Sequence, residues 1–380
     1  MNVKILIIFL MFCSCQKRQA NESLGLIVLK EINIKPEDKT VPNPAFVHLV
    51  ESDSGRFLFL SNYISKTLQF LNLENGMPVK EIKLQYEGPN SIRNYTGIAG
   101  LEKDKVWLTF SPYAIGYLNY DGEIQFKIEI PSGAVDITYV SSDIHQELHQ
   151  YQGKVFGMLP KFMNHHYMEK SAIQKHSLVY SYDMSSGQTR WYDVYYAVDY
   201  WENGKKPSNF SWARREDKLY IAPWYDHEIQ VFDMKIEQLD NRVVARSNHI
   251  SDFSYLNEIP GNHEEGLNNK LSHDNYGILL YDKYRDCFYR FFYPGLRDDK
   301  DYAIEQLWSL NRDRPFTGVM VLDKDLNVIG EHVFDKFQVH ASSNVFVGEE
   351  GLYLSLNNEN SPDYDEDHLR YMVVQFEVKK

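Results

Sequence analysis

Short polar turns that suit antiparallel hairpins recur along this chain, and they limit its fold more tightly than any other feature. Leu71-Asn72-Leu73-Glu74-Asn75-Gly76, Leu118-Asn119-Tyr120-Asp121-Gly122 and Tyr182-Asp183-Met184-Ser185-Ser186-Gly187 each close a strand-like run. Phe232-Asp233-Met234 and Leu322-Asp323-Lys324-Asp325 continue the series. Asn-Gly and Asp-Gly need positive φ at the turn, so each joins two antiparallel strands. Upstream of every copy lies another strand pair: residues 45–50 with 56–61, 97–101 with 105–110, and 147–151 with 154–159. Residues 210–214 with 218–222, 277–281 with 287–293, and 338–346 with 351–356 complete the set. About six units of four strands follow, the size of β-propeller blades.

The last unit is one strand short, whereas residues 25–34 form an apolar strand with no unit of their own. An open ring would leave unpaired edges that invite aggregation. The expected fold is therefore an all-β, six-bladed β-propeller in which the N-terminal strand closes the last blade. Two separate β-sandwiches would need a linker rich in Pro, Gly or Ser, and none is present. The domain reading is a signal peptide over 1–14, a lipidated tether over 15–23, and one propeller over 24–380.

The N-terminus supports that division. Lys4 supplies a positive charge, and residues 5–12 are an apolar run too short to span a bilayer. Cys13-Ser14-Cys15 follows, as in a bacterial lipobox, with Phe12 where Leu is usual. Cys15 is the expected lipid acceptor and Cys13 the runner-up. Acyl chains on Cys15 would hold the protein to a membrane, at roughly 0.8 kcal/mol per buried CH₂. The basic tether Gln16-Lys17-Arg18 lacks the acidic cluster that marks surface export in some bacterial groups. The expected location is the outer membrane, facing the periplasm.

Charge narrows the partners. Forty Lys+Arg against 53 Asp+Glu give a formal charge of −13 with no basic block, which disfavours nucleic acid. Cys287 is the one cysteine in the folded part and sits in a strand-like run, as a small buried residue would. His145, His149, His165, His166 and His176 lack a matched metal-ligand spacing. The acidic run Asp363–Asp367 lacks the spacing and glycine of an EF-hand. No nucleophile elbow, P-loop or dinucleotide fingerprint occurs. No catalytic residue, metal or cofactor is assigned.

Sorting loops by blade position places the tight, acidic turns on one face of the disc. Nearly all irregular length falls on the other, in segments such as 87–95, 195–208, 251–271 and 294–315. Long loops on a rigid scaffold tend to carry binding residues. The candidates there are Glu87, Asn90, Tyr113, Tyr200, Trp201, Trp224, Tyr225, His227 and Trp308. Planar rings beside amides and carboxylates suit sugars or protein loops, although the same rings can simply pack the loops down. Asp282 and Arg285 fall on the tight-turn face, where they read as turn-stabilising.

The lipobox end at Cys15, the Tyr86-Glu87-Gly88-Pro89-Asn90 loop, the run from Leu280 to Arg290 and residues 319–330 resemble a known family. It is the TolB-like six-bladed propeller lipoproteins of Bacteroidetes-type bacteria, which have no established activity. The resemblance implies the fold and an envelope location. The functional expectation is a non-catalytic binding module whose long-loop face meets a glycan, peptide or partner protein. The alternative is a hydrolase or lyase acting on a sugar or lactone with carboxylates at the channel mouth.

Overall fold

A computed structural model describes residues 22–36, 40–102, 104–111, 113–131, 146–159, 167–255, 257–297 and 302–378. The expected signal peptide and lipid acceptor Cys15 lie outside the described residues, as do His145, His165 and His166.

Strands alternate with hairpin turns, as the sequence requires. Blade 1 is β2 (Val47–Ser52), β3 (Gly55–Asn62), β4 (Thr67–Asn72) and β5 (Pro78–Lys83). Blade 2 is β6 (Tyr95–Glu102), β7 (Lys105–Phe110), β8 (Ala114–Asn119) and β9 (Ile124–Glu129). In blade 3, β10 (His149–Tyr151), β11 (Lys154–Met158), β12 (Val179–Asp183) and β13 (Thr189–Trp191) pair in order. Blade 4 holds β14 (Phe210–Arg215), β15 (Lys218–Pro223), β16 (Glu228–Asp233) and β17 (Gln238–Val244). Blade 5 holds β18 (Asn275–Asp282), β19 (Cys287–Tyr293), β20 (Gly318–Leu322) and β21 (Val328–Val333). Blade 6 takes β22 (His340–Gly348), β23 (Gly351–Ser355) and β24 (Leu369–Val378) from the end of the chain, and β1 (Glu22–Ile34) from its beginning. This is a six-bladed β-propeller.

The ring closes through β1. It runs antiparallel to β24 from Leu24 opposite Val378 to Ile34 opposite Leu369, and Glu22 and Ser23 also pair with β21 of blade 5. Leu24 and Ile34 are buried at either end of this strand. Inner strands descend from the long-loop face to the tight-turn face, so the outer strand of each blade climbs back. β1 therefore begins on the tight-turn face.

Inner faces of successive blades bury rings and aliphatic chains against each other, as where Phe70 of blade 1 meets Tyr120 of blade 2. Gly122, in the Asp-Gly turn of blade 2, has φ +81, and a Cβ there would collide with the Lys83 carbonyl of blade 1. That glycine thus serves both the turn and the blade contact. On the tight-turn face the acidic turns carry interblade ion pairs. Asp286 of blade 5 takes two bonds from Arg215 of blade 4, at 2.6 and 3.0 Å. Glu237 of blade 4 receives Lys154 and Arg190 of blade 3, and Glu350 of blade 6 receives Arg56 of blade 1. Asp282 is fully buried and holds the backbone of Tyr284 and Arg285, while Arg285 reaches the Gly348 and Glu349 carbonyls of blade 6. The turn-stabilising reading of this pair therefore extends to a link between blades. Surface pairs of this kind contribute at most about 1 kcal/mol each, so they align blades more than they stabilise them.

The structure corrects one feature of the loop reading. Segments 251–271 and 294–315 are not wholly irregular, since they carry α1 (His263–Ser272) and α2 (Ile304–Arg312). Asn262 caps α1 by accepting from the Glu265 backbone N–H at 2.8 Å, and the two helices bury Leu267, Leu271, Leu307 and Leu310 together.

Replacing both Leu24 and Ile34 with Lys should detach β1 and expose the β24 edge. Calorimetry should then show a lower melting temperature, and light scattering should show aggregation; a melt matching the parent would mean that closure is not what holds the ring.

Candidate functional site

The long-loop face is built around the helix pair. Arg314 is buried and caps the C-terminus of α1, donating to the carbonyls of Lys270, Leu271 and His273 and, at 2.8 Å, to Asn275 Oδ1. Asp274 ties the flanking loops together. It accepts from the Ser251, Asp252 and Gly295 backbone N–H groups and from Arg297. Burial works against its charge, but those N–H groups and the Arg297 guanidinium hold the carboxyl below the usual aspartate range.

Trp308 projects from α2 with 44% of its surface exposed. It lines a groove of about 540 Å³ together with Pro260, His263, Gly266 and Leu267. A second groove, about 570 Å³, runs along the polar side of α1 past Glu265, Asn268 and Asn269. An exposed indole over an apolar floor, with amides close by, can stack on a sugar ring or seat a peptide side chain.

The other sequence candidates are placed differently. Tyr200, Trp201 and Tyr225 are buried. The Tyr200 hydroxyl donates to the Pro207 carbonyl at 2.5 Å, and Trp201 Nε1 donates to the Lys206 carbonyl at 2.9 Å. Tyr196 packs against Tyr200 with ring centroids 4.3 Å apart, and Tyr225 packs edge-on to Phe253. These rings fold the 195–208 loop back on itself and onto the disc. Tyr113 and Trp224 are half-buried against the core of blades 2 to 4. Glu87 is exposed and Asn90 half-buried in the loop that leads to blade 2. The groove beside α1 includes one of the named candidates, Trp308.

His227 is half-buried, with Nδ1 2.7 Å from the Tyr276 hydroxyl. Burial, helped by the nearby cations Arg246, Arg290 and Lys206, pushes its pKa down to about 3. Beneath it lies a residue that the sequence did not reveal. Arg290 is wholly buried in β19 and donates to the carbonyls of Pro223, Asp226, His227 and Ala245 in blade 4, with its guanidinium 3.6 Å over the Tyr276 ring. Burial lowers its pKa to about 10, which leaves it charged at neutral pH. An arginine inside a strand-like aromatic run was the available signal.

A hydrolytic reading has one geometric argument in its favour. His340 Nε2 lies 2.7 Å from Ser343 Oγ, and its Nδ1 lies 2.9 Å from Asp313 Oδ2. All three are buried: His340 and Ser343 lie in a bulge of β22, and Asp313 is the cap residue at the C-terminal end of α2. With Ser343 only 8% exposed, the relay serves chiefly to pin the bulge to the helix end. Among the described residues no group of three His, Cys, Asp or Glu side chains could hold a metal ion.

The chain belongs to the family described as Domain of unknown function (DUF4221). The family pattern matches residues 27–333. Among solved structures, a DUF4221 member from Bacteroides vulgatus superposes with a TM-score of 0.78 at 18% identity, covering 94% of this chain and all of that one. A Bacteroides fragilis protein superposes with a TM-score of 0.53 at 12% identity, covering 95% and 97% of the two chains. At these identities the likeness of this DUF4221 chain to solved structures concerns fold alone. No curated protein matches it.

His176 and His227 contribute to a pH signature. Burial lowers His176 to about 4, as it lowers His227 to about 3, against about 6.5 in an unfolded chain. Both are neutral when folded and take up protons on unfolding in mild acid. Their contribution is fully present above pH 6.5 and is lost as pH falls from there through about 4 for His176 and about 3 for His227. Urea midpoints should therefore drop between pH 6.5 and 5, and less so in His227→Gln. A flat profile across that range would contradict the buried, neutral assignment.

Proposed function

We propose that this protein is a non-catalytic binding module of the cell envelope, anchored through lipid on Cys15, which presents its long-loop face to a glycan, peptide or partner protein. The observation that carries the reading is the placement of Trp308 over its groove on the face opposite the start of β1. Seven residues from Cys15 through Asn21 extend at most about 24 Å. That is close to the radius of gyration, about 20 Å, expected for a domain of this size. A tether so short, joined at the tight-turn face, keeps that face towards the bilayer and leaves α1, α2 and Trp308 directed away from it.

Composition supports a peptide or glycan over a nucleic acid, since the chain carries a formal charge of −13 without a basic block in its sequence. The lipobox-like end and basic tether favour the periplasmic side of the outer membrane. The Bacteroides fragilis neighbour, named for suspected export, is consistent with an envelope location.

The test is photo-crosslinking in intact envelopes. A photoreactive amino acid in place of Trp308 should capture a discrete partner or glycan adduct, whereas the same group in place of Ser54, on the tight-turn face, should not. Equal capture from both faces, or none from position 308, would refute the assignment. Cys15→Ser should move the protein from the membrane fraction to the soluble fraction; retention on the membrane would refute the anchor.

A further inference from the structure

The central channel contains a cavity of about 360 Å³. Inner strands of five blades contribute to its wall, and Glu51, Lys283 and Tyr284 place its mouth at the tight-turn end, away from Trp308. His48 of blade 1 and Glu147 of blade 3 meet across it, with Nδ1 3.2 Å from the carboxylate. These blades are not neighbours in the ring, so the pair bridges the channel itself.

The hydrogen-bonding capacity of the lining is unbalanced. Both acids have partners: Glu147 has His48, and Glu51 accepts from the Tyr284 hydroxyl with Lys283 Nζ 4.0 Å away. The donors are less fully engaged. Arg214 directs Nε to the Glu216 carbonyl and Nη1 to the Gln150 carbonyl, which leaves Nη2. Lys283 keeps a side chain 68% exposed. His149 Nε2 is buried with no partner, an arrangement that native structures seldom tolerate without a ligand or water. Burial brings the His149 pKa down to about 4, so its ring is neutral, and Nε2 is a donor in the tautomer that carries its proton there. Behind these groups Leu49, Leu279 and Phe346 form an apolar wall.

We infer that the channel is a second binding site, for a small organic acid with one anionic group on a short apolar body. Arg214 Nη2, His149 Nε2 and the mostly exposed ammonium of Lys283, which sits 4.0 Å from Glu51, suit a carboxylate or phosphate, which takes charge-assisted hydrogen bonds. The leucines and Phe346 suit a hydrocarbon segment, and the volume lies within the range of small-molecule pockets. The site is separate from the long-loop groove and does not depend on it. Its mouth shares a face with the start of β1, so the acid can come from a lipid or from solution.

The experiment is calorimetric titration of the mature chain carrying Cys15→Ser, which needs no detergent. Octanoate should bind at least tenfold more tightly than octanol, which lacks the charge, and than acetate, which lacks the body. Lys283→Glu, at an exposed position, should weaken octanoate at least tenfold without altering the melting temperature, and Trp308→Ala should leave it unchanged. Octanoate should also move the His149 imidazole resonances in ¹⁵N spectra. Phosphatidylglycerol vesicles that compete with octanoate identify a lipid as the source. Vesicles that fail to compete identify a free acid, and either result upholds the site. No octanoate binding, octanol binding equally well, or indifference to Lys283→Glu overturns it.

Discussion

The pairing of β1 with β24 is the constraint on which the rest of the structure depends. Five blades are each complete within a continuous stretch of chain, but the sixth has three strands until the N-terminal segment joins it. Ten residues of β1 find direct partners on β24, from Leu24 to Ile34. Without them the β24 edge would offer unpaired N–H and C=O groups to any passing strand. Closure also determines on which face of the disc the chain enters it.

The two faces differ in how they use polar groups. On the tight-turn side, carboxylates at the turns meet cations of the neighbouring blade, as Asp286 meets Arg215. On the long-loop side, buried arginines satisfy carbonyls rather than carboxylates: Arg290 cages four, and Arg314 takes those at the end of α1. Removing either would strand several buried acceptors, each costing about 1–3 kcal/mol. That side is therefore a rigid support for the helix pair, as a surface that presents Trp308 in one orientation needs to be.

The blades were legible because hairpin chemistry is local. Asp-Gly and Asn-Gly turns with alternating strands on either side specify antiparallel pairs without reference to the rest of the chain. The missing sixth outer strand was legible by counting. The helices were harder, since α1 offers only Leu267 and Leu271 as buried apolar residues amid Asn, Glu and Lys. Its cap, Asn262 followed three residues later by Glu265, was the available cue. For the aromatics, the sequence could not separate Tyr200 and Trp201 from Trp308. Rings that pack a loop and rings that meet a ligand are the same residue types. What separates them is that segment 195–208 folds back onto its own carbonyls, which no local pattern reveals. Arg290 escaped notice for a similar reason, because its carbonyl partners lie more than forty residues away.

Orientation on the membrane is the central claim, and energy transfer from the protein to the bilayer tests it directly. The lipidated protein would be placed in vesicles containing a lipid-linked acceptor, with a donor dye at Ser54→Cys on the tight-turn face or at Tyr255→Cys on the long-loop face. Both positions are exposed. Transfer should be markedly more efficient from position 54. Equal transfer from the two positions, or stronger transfer from 255, would contradict an outward-facing long-loop surface.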